Sequence, residues 1–407
     1  MTLPAPKIEI GFDLTESPIG PFFRLDDPEA GLLDNLDYRL GGTIFYDVTD
    51  RARTVSSQRG RPNEFAGFPA GQVTVEFNNH DRAFDPLFVA SPFYGNIVPR
   101  REIRLSVDDE RVFTGWIEDW DLQYTPDGDS TVSAIAYDAF YIITNQSLSA
   151  FTPSVETVDE RINTVLSRPG VGWSTDLRNL EVSTQNVGAY AIEEGTNALS
   201  YLQGLVTAEP GNIFVDKGGS IAFTNRQSYP TSQDLVQIGE SGIPFDNLRV
   251  IYGAEDLYNE VTISRKDGGT AIASDIASQG AYGIRALNQT DLLVETDDQI
   301  AEIAVEYASR FSQPEYRIEA AEIDMQKLSA ANRLAMLGLD LGDVVQSIFT
   351  PNNIPPAINK YLEIINIEHI VTADTHYITL GFKEITYAPL VLDDAVFGKL
   401  DVGTLSW

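Results

Sequence analysis

Chemistry in this chain would have to start from three histidines: His80, His369 and His376. His369 and His376 flank a hairpin turn at Ala373-Asp374, so their rings can lie close together, and with Asp374 they could in principle hold a metal ion. Their neighbours alternate as in an ordinary hairpin, and no further ligand is tied in by spacing. The expectation is therefore a packed hairpin with no metal. His80 stands in Asn78-Asn79-His80-Asp81-Arg82, a polar loop after a strand, where a hydrogen-bonded turn is the expected role. Cysteine is absent, which removes disulfides and thiolate chemistry. The sequence has no G-x-x-x-x-G-K-[ST] phosphate loop, no G-x-G-x-x-G after a strand, no H-E-x-x-H and no G-x-S-x-G elbow. No catalytic residue and no cofactor is expected.

One segment does carry the residue types of sugar chemistry. Glycosidases use two carboxylates across a cleft, usually beside aromatic platforms. Gly115-Trp116-Ile117-Glu118-Asp119-Trp120-Asp121 offers both, and on a regular strand Trp116, Glu118 and Trp120 face one way. Trp116 and Trp120 are thus candidate glycan contacts. The competing and favoured reading packs the tryptophans against the fold or a neighbouring subunit and leaves the acids in solvent. Asn145-Gln146-Ser147 and Asn288-Gln289-Thr290 match the glycosylation triplet, a match expected by chance.

The elements that would position these residues are mostly strands. Residues 1–31, with several prolines and little periodicity, read as an extended arm. From 32 to 147 short alternating segments dominate: Val73, Val75 and Phe77 share one face, Ile103, Leu105 and Val107 another. Asp108-Asp109-Glu110 and Asp127-Gly128 mark hairpin turns. From 148 to 246 the texture becomes α/β. Thr157-Val158-Asp159-Glu160 is a capping box before a helix with Val158, Ile162, Val165 and Leu166 at helical spacing. A second helix over 196–207 leads into a hairpin over 213–223. From 247 to 390 strands return around one helix, capped by Thr296 and Gln299, with Ile300, Ile303, Ala304, Tyr307 and Phe311 on one face. Residues 391–407 form a tail. The fold class expected is mainly β (α+β), with two antiparallel β-barrel or sandwich domains and a small α/β insertion between them.

At 407 residues the chain exceeds what one core usually supports, and its 43% apolar content can bury several. Nowhere is there an apolar run long enough to span a bilayer, and Met1 to Ile10, with Pro4 and Pro6, does not read as a secretory signal. The formal net charge of −32 disfavours specific nucleic-acid binding. It suits a passage through which DNA slides without sticking, although solubility alone is the plainer reading.

Several motifs together resemble a known family. Val73 to Pro86, above all Asp81-Arg82-Ala83-Phe84-Asp85-Pro86, resembles a strand-plus-loop signature of minor tail proteins of phages infecting actinobacteria. Phe113-Thr114-Gly115-Trp116-Ile117 resembles a strand of the same proteins. Leu199 to Phe223 resembles the helix-hairpin segment of baseplate hub proteins, and Leu339 to Val345 a loop and strand of their second β domain. Leu392 to Asp401 is also similar to actinobacterial phage tail proteins. The resemblance implies tube-type β domains in a non-enzymatic virion protein of the tail tip. It implies a homotrimer that offers six similar β units to a sixfold tube, partnered by the distal tail protein and the tape-measure protein, with DNA passing through an acidic lumen. The apolar Phe397, Leu400 and Trp407 are then expected at a subunit interface. The alternatives are a distal-tail adaptor ring, a glycan-binding or cleaving tip protein using Trp116 and Trp120, and a non-phage adhesin or secretion-spike component.

Overall fold

The computed structural model describes residues 4–12, 44–225 and 235–385. Phe397, Leu400 and Trp407 lie outside the described residues, as does most of the expected arm. The chain opens with β1 (Pro6–Phe12), β2 (Ile44–Asp47), β3 (Ala52–Gly60), β4 (Gln72–Asn78), β5 (Arg101–Val107), β6 (Glu110–Gln123), β7 (Thr131–Tyr137) and α1 (Ala139–Thr144). The short strands β8 (Ser147–Leu148) and β9 (Glu156–Thr157) precede α2 (Val158–Leu166), β10 (Arg178–Leu180), β11 (Asn186–Val187), β12 (Thr196–Asn197) and α3 (Ala198–Ala208). The hairpin β13 (Asn212–Val215) and β14 (Ile221–Thr224) follows, then β15 (Val236–Gly239) and β16 (Asn247–Gly253). Next come β17 (Glu260–Arg265), β18 (Thr270–Ser274), α4 (Ile276–Tyr282), β19 (Ala286–Leu292) and α5 (Asp297–Phe311). The chain continues through β20 (Glu315–Asp324), α6 (Ala330–Gly338), β21 (Val344–Phe349), β22 (Ile358–Thr372) and β23 (His376–Glu384).

The fold is mainly β with some helices. One large sheet of 13 strands runs β16-β20-β23-β22-β3-β4-β7-β6-β5-β1-β2, with β21 pairing β22 and β15 pairing β21. It is antiparallel apart from the β15–β21 pair. Small sheets accompany it, β10-β14-β13 and β18-β17-β19 the largest. The seam between the early and late strands is the pairing of β22 with β3, from Asn366 opposite Gly60 to Thr372 opposite Thr54. Among the described residues no helix is long and apolar enough to cross a membrane.

Local signals account for most elements. Val73, Val75 and Phe77 are fully buried on β4 while their neighbours face out. Asp108 and Asp109 take φ of 49° and 67°, the left-handed pair that a two-residue hairpin needs. Glu160 accepts from the Thr157 N–H at 3.1 Å, and Gln299 from the Thr296 N–H at 2.8 Å, so both capping boxes form.

The structure departs from expectation where tertiary contact overrides local texture. Pro6–Phe12, read as arm, is a strand between β2 and β5. Its Ile8, Ile10 and Phe12 are buried, and Pro6 stands at the strand's first position, where a missing N–H is tolerated. Three helices, α1, α4 and α6, carried too few periodic turns to be read, so the 247–390 stretch expected to hold one helix holds three. In α1, Asp138 accepts from the Phe140 N–H at 2.9 Å and buries Phe140 and Ile143. In α6, Ser329 accepts from the Asn332 N–H at 3.2 Å and Met336 and Leu337 face the core.

Candidate functional site

The hairpin of β22 and β23 does bring His369 and His376 together, with Nδ1 of one 3.1 Å from Nε2 of the other. Both rings are buried. Burial, with the His376 ring beside it, holds the His369 imidazole well below the usual range. Burial likewise lowers His376 to about 4, against the pull of Asp108 and Asp324. The pair is thus neutral at physiological pH and acts as core. Among the described residues, no group of three or more His, Cys, Asp or Glu side chains is placed to hold a metal. His80 is exposed, and its Nδ1 lies 2.7 Å from the Gly128 carbonyl, tying its loop to the β6–β7 turn.

Trp116 and Trp120 do not share a face. Pairing between β6 and β7 shifts at Glu118, so that Ile117 lies opposite Ala136 and Asp119 opposite Ile135. One extra residue inverts the alternation. Trp116, opposite Tyr137, meets Trp173 edge-on at 5.8 Å, and Trp120, opposite Ala134, turns inward. There Trp120 stacks on Phe84 at 5.7 Å and donates from Nε1 to the Val98 carbonyl at 3.2 Å.

Charged side chains do gather in the interior, at the junction of the chain's three stretches. Arg59 of β3 donates to Asp340 at 2.7 Å and to the Val215 carbonyl at 3.2 Å. Asp340 also accepts from the Lys217 N–H at 2.8 Å, while Lys217 Nζ caps the carbonyls of Leu337 and Gly338 at the end of α6. Arg333 pairs with Asp108 at 2.7 Å, both side chains being largely covered. Burial pushes the nearby Asp138 carboxyl up to about 7, although the N–H groups of Gly71 and Phe140 donate to it. Each of these groups has a structural partner, so this cluster fixes the β3, β13–β14 and α6 segments to one another.

The large sheet also presents a broad surface. The strand register lines up Asn247, Glu322, Thr379, Glu368, Gln58, Gln72, Tyr137 and Trp116 in one row across β16, β20, β23, β22, β3, β4, β7 and β6. A second row holds Tyr377, Ile370, Ser56, Thr74, Ile135 and Asp119. A third holds Thr372, Thr54, Glu76, Ser133 and Asp121. None of these side chains is buried, whereas the rows between them are, as at Val371, Val55, Val75 and Ala134. Glu76, Asp119, Asp121, Glu322 and Glu368 stand on these rows, and no lysine or arginine does. The sequence showed the polar half of each strand but not which strands are neighbours, so this continuous face was out of its reach.

No protein-family model matches the chain, and no curated protein matches it in sequence. Solved structures do match its fold. A tail protein from Neisseria meningitidis MC58 superposes with a TM-score of 0.60 at 11% identity, covering 94% of this chain and 97% of that one. The 43 kDa tail protein of prophage MuSo2 from Shewanella oneidensis gives 0.54 at 16% identity, covering 84% and 95%. The prophage tail protein gp18 from Listeria monocytogenes EGD-e gives 0.52 at 11% identity, covering 92% and 94%. The chain is similar in fold, over nearly its whole length, to phage tail proteins.

Proposed function

We propose that this chain is a non-enzymatic tail-tip subunit of a long-tailed phage, a baseplate hub whose copies form a ring around the DNA passage. The observation that carries the reading is the solvent-facing side of the large sheet, where one row of side chains crosses eight strands and two further rows cross six and five. A sheet face normally packs on a core or meets solvent with mixed charge. This one is wide, mixes hydroxyl and amide side chains with Trp116, Tyr137, Tyr377, Ile135 and Ile370, and carries Glu76, Asp119, Asp121, Glu322 and Glu368 with no lysine or arginine on the three rows. The cations that border the rows, Arg53 and Arg249, are held by Asp129 and Glu319, so a DNA backbone moving past meets few that are free to hold a phosphate. The tail-protein fold over the full chain supports the same reading.

Geometry also favours three copies. Eight strands spaced about 4.8 Å apart span roughly 38 Å, so three copies enclose roughly 115 Å of circumference, or roughly 37 Å across the backbone before tilt widens it. Two copies would leave a bore too narrow for a duplex once side chains are counted. Six copies, as in an adaptor ring, would roughly double the width. Early and late strand groups lie side by side in each copy, so a trimer presents six similar units to a sixfold tube. The same proposal places the protein in the virion, against the distal tail and tape-measure proteins, in a phage that the motif likeness assigns to an actinobacterial host.

Replacing Ser56, Thr74 and Ser133 together by lysine tests the passage. Particles carrying the variant should assemble with normal tails but deliver DNA more slowly, by about tenfold or more, with the defect easing as salt rises. Delivery at the normal rate would remove the passage from the account.

A further inference from the structure

A cavity of about 180 Å³ lies where distant stretches of the chain meet: the loop after β3, the α3–β13 connection and the C-terminal end of α5. Its walls mix the rings of Phe65, Phe68 and Phe311 with charged side chains. Most of those charges are matched. Glu64 holds Arg310 at 2.7 Å and Lys383 at 3.2 Å, and Lys383 also reaches Glu363 at 3.5 Å. Glu384 is held by Lys360, and Glu306 is exposed. Arg61 is left over. It is 8% exposed, and its guanidinium lies 4.6 Å from the Phe68 ring. It donates to the Asn212 amide oxygen at 2.8 Å and to the Ala66 carbonyl at 3.4 Å, while its Nε has no partner. Among the described residues no carboxylate forms an ion pair with it. Burying a guanidinium is costly unless a counter-charge meets it. This chain has 60 acidic residues against 28 basic ones, so a buried cation without an acid beside it stands out. Arg310 Nε and Gln289 Oε1, from two other residues of the same wall, also lack partners.

We infer that this cavity is a ligand site for a small organic carboxylate, its charge on Arg61 and its apolar body among Phe65, Phe68 and Phe311. One unmatched cation calls for one negative charge. A carboxylate supplies it and fits the guanidinium fork with two parallel hydrogen bonds. Inorganic phosphate carries more charge and has no apolar surface to set against three aromatic rings. The volume suits a body about the size of a benzene ring. A hydroxyl or N–H on that body would meet Gln289 Oε1. The site needs only the fold of the single chain and stands whether or not copies form a ring.

The test titrates the full-length chain with benzoate, and with benzyl alcohol as its neutral counterpart, by calorimetry and thermal melting. Benzoate should bind with a Kd on the order of 1 mM or tighter and raise the melting temperature. The alcohol should bind about tenfold or more weakly, and Arg61→Gln should weaken benzoate by a similar factor. Thr207 is exposed on α3 and lines the cavity. Thr207→Trp therefore crowds the space while keeping Arg61, and it should lose benzoate binding with the ligand-free melting curve unchanged, a readout that holds even if Arg61→Gln fails to fold. No binding of benzoate to the unsubstituted chain overturns the inference, the cavity then holding water alone. Equal binding of the alcohol, or wild-type binding in a folded Arg61→Gln chain, overturns it as well. So does displacement of benzoate by an equal concentration of inorganic phosphate, since the site would then serve inorganic anions.

Discussion

His376 shows how a group that looks reactive in sequence becomes a stability element in the fold. Its imidazole is lowered from 6.5 to about 4 in the folded chain. Between those values the unfolded chain holds a proton that the folded chain has released, so stability rises with pH across that window and the gain is complete above about 6.5. The shift corresponds to roughly 3 kcal/mol lost on acidification to below about 4. His369, shifted the same way, adds to it. Asp138 works in the opposite sense: raised to about 7, it keeps its proton in the folded chain, and its contribution fades as pH rises from about 4 to 7. Replacing His376 by Gln should flatten the acid limb of a stability curve measured by urea unfolding at successive pH values; an unchanged limb would mean that the ring is not held neutral. The Arg59–Asp340 pair gives a second prediction. Asp340→Ala strands a buried guanidinium and should lose roughly 3–5 kcal/mol in denaturant unfolding. Arg53→Ala, which breaks an exposed and solvent-screened pair with Asp129, should leave the unfolding midpoint almost unchanged.

The element that most changes the reading of the site is the irregularity in β6. The sequence placed this strand correctly, and regular alternation put Trp116, Glu118 and Trp120 on one side. A bulge at Glu118 needs no signature residue and is set by pairing with β7, so nothing local announced it. Its consequence is that Trp120 anchors the 79–100 loop while Trp116 packs against Trp173. Trp120→Ala should therefore destabilise the protein by on the order of 3 kcal/mol and expose the loop to protease, with a smaller effect from Trp116→Ala. Equal effects from the two variants would contradict this placement. The hairpins were legible for a related reason: Asp108-Asp109 and Asp127-Gly128 carry their turn conformations in their own residues. The helices α1 and α6 were not, because each is short and gains its stability from the core beneath it.

At the scale of the whole molecule, what sequence could not show is long-range pairing. The β22–β3 contact joins residues about 300 positions apart, and it turns two sets of strands into a single sheet with a common outer face. Alternation in β3, β4, β7 and β22 says that one side of each is polar. Only the order of strands says that these sides are contiguous and acidic. The charge of −32 is read most plainly as solubility and locates no such surface. The account's central claim is that this face surrounds an axis, and electron cryomicroscopy of assembled particles tests it most directly. The account predicts three copies around the tail axis, with Ser56, Thr74, Glu76 and Glu368 pointing into the bore. A single copy, or a ring in which those residues face outward to solvent, would contradict it.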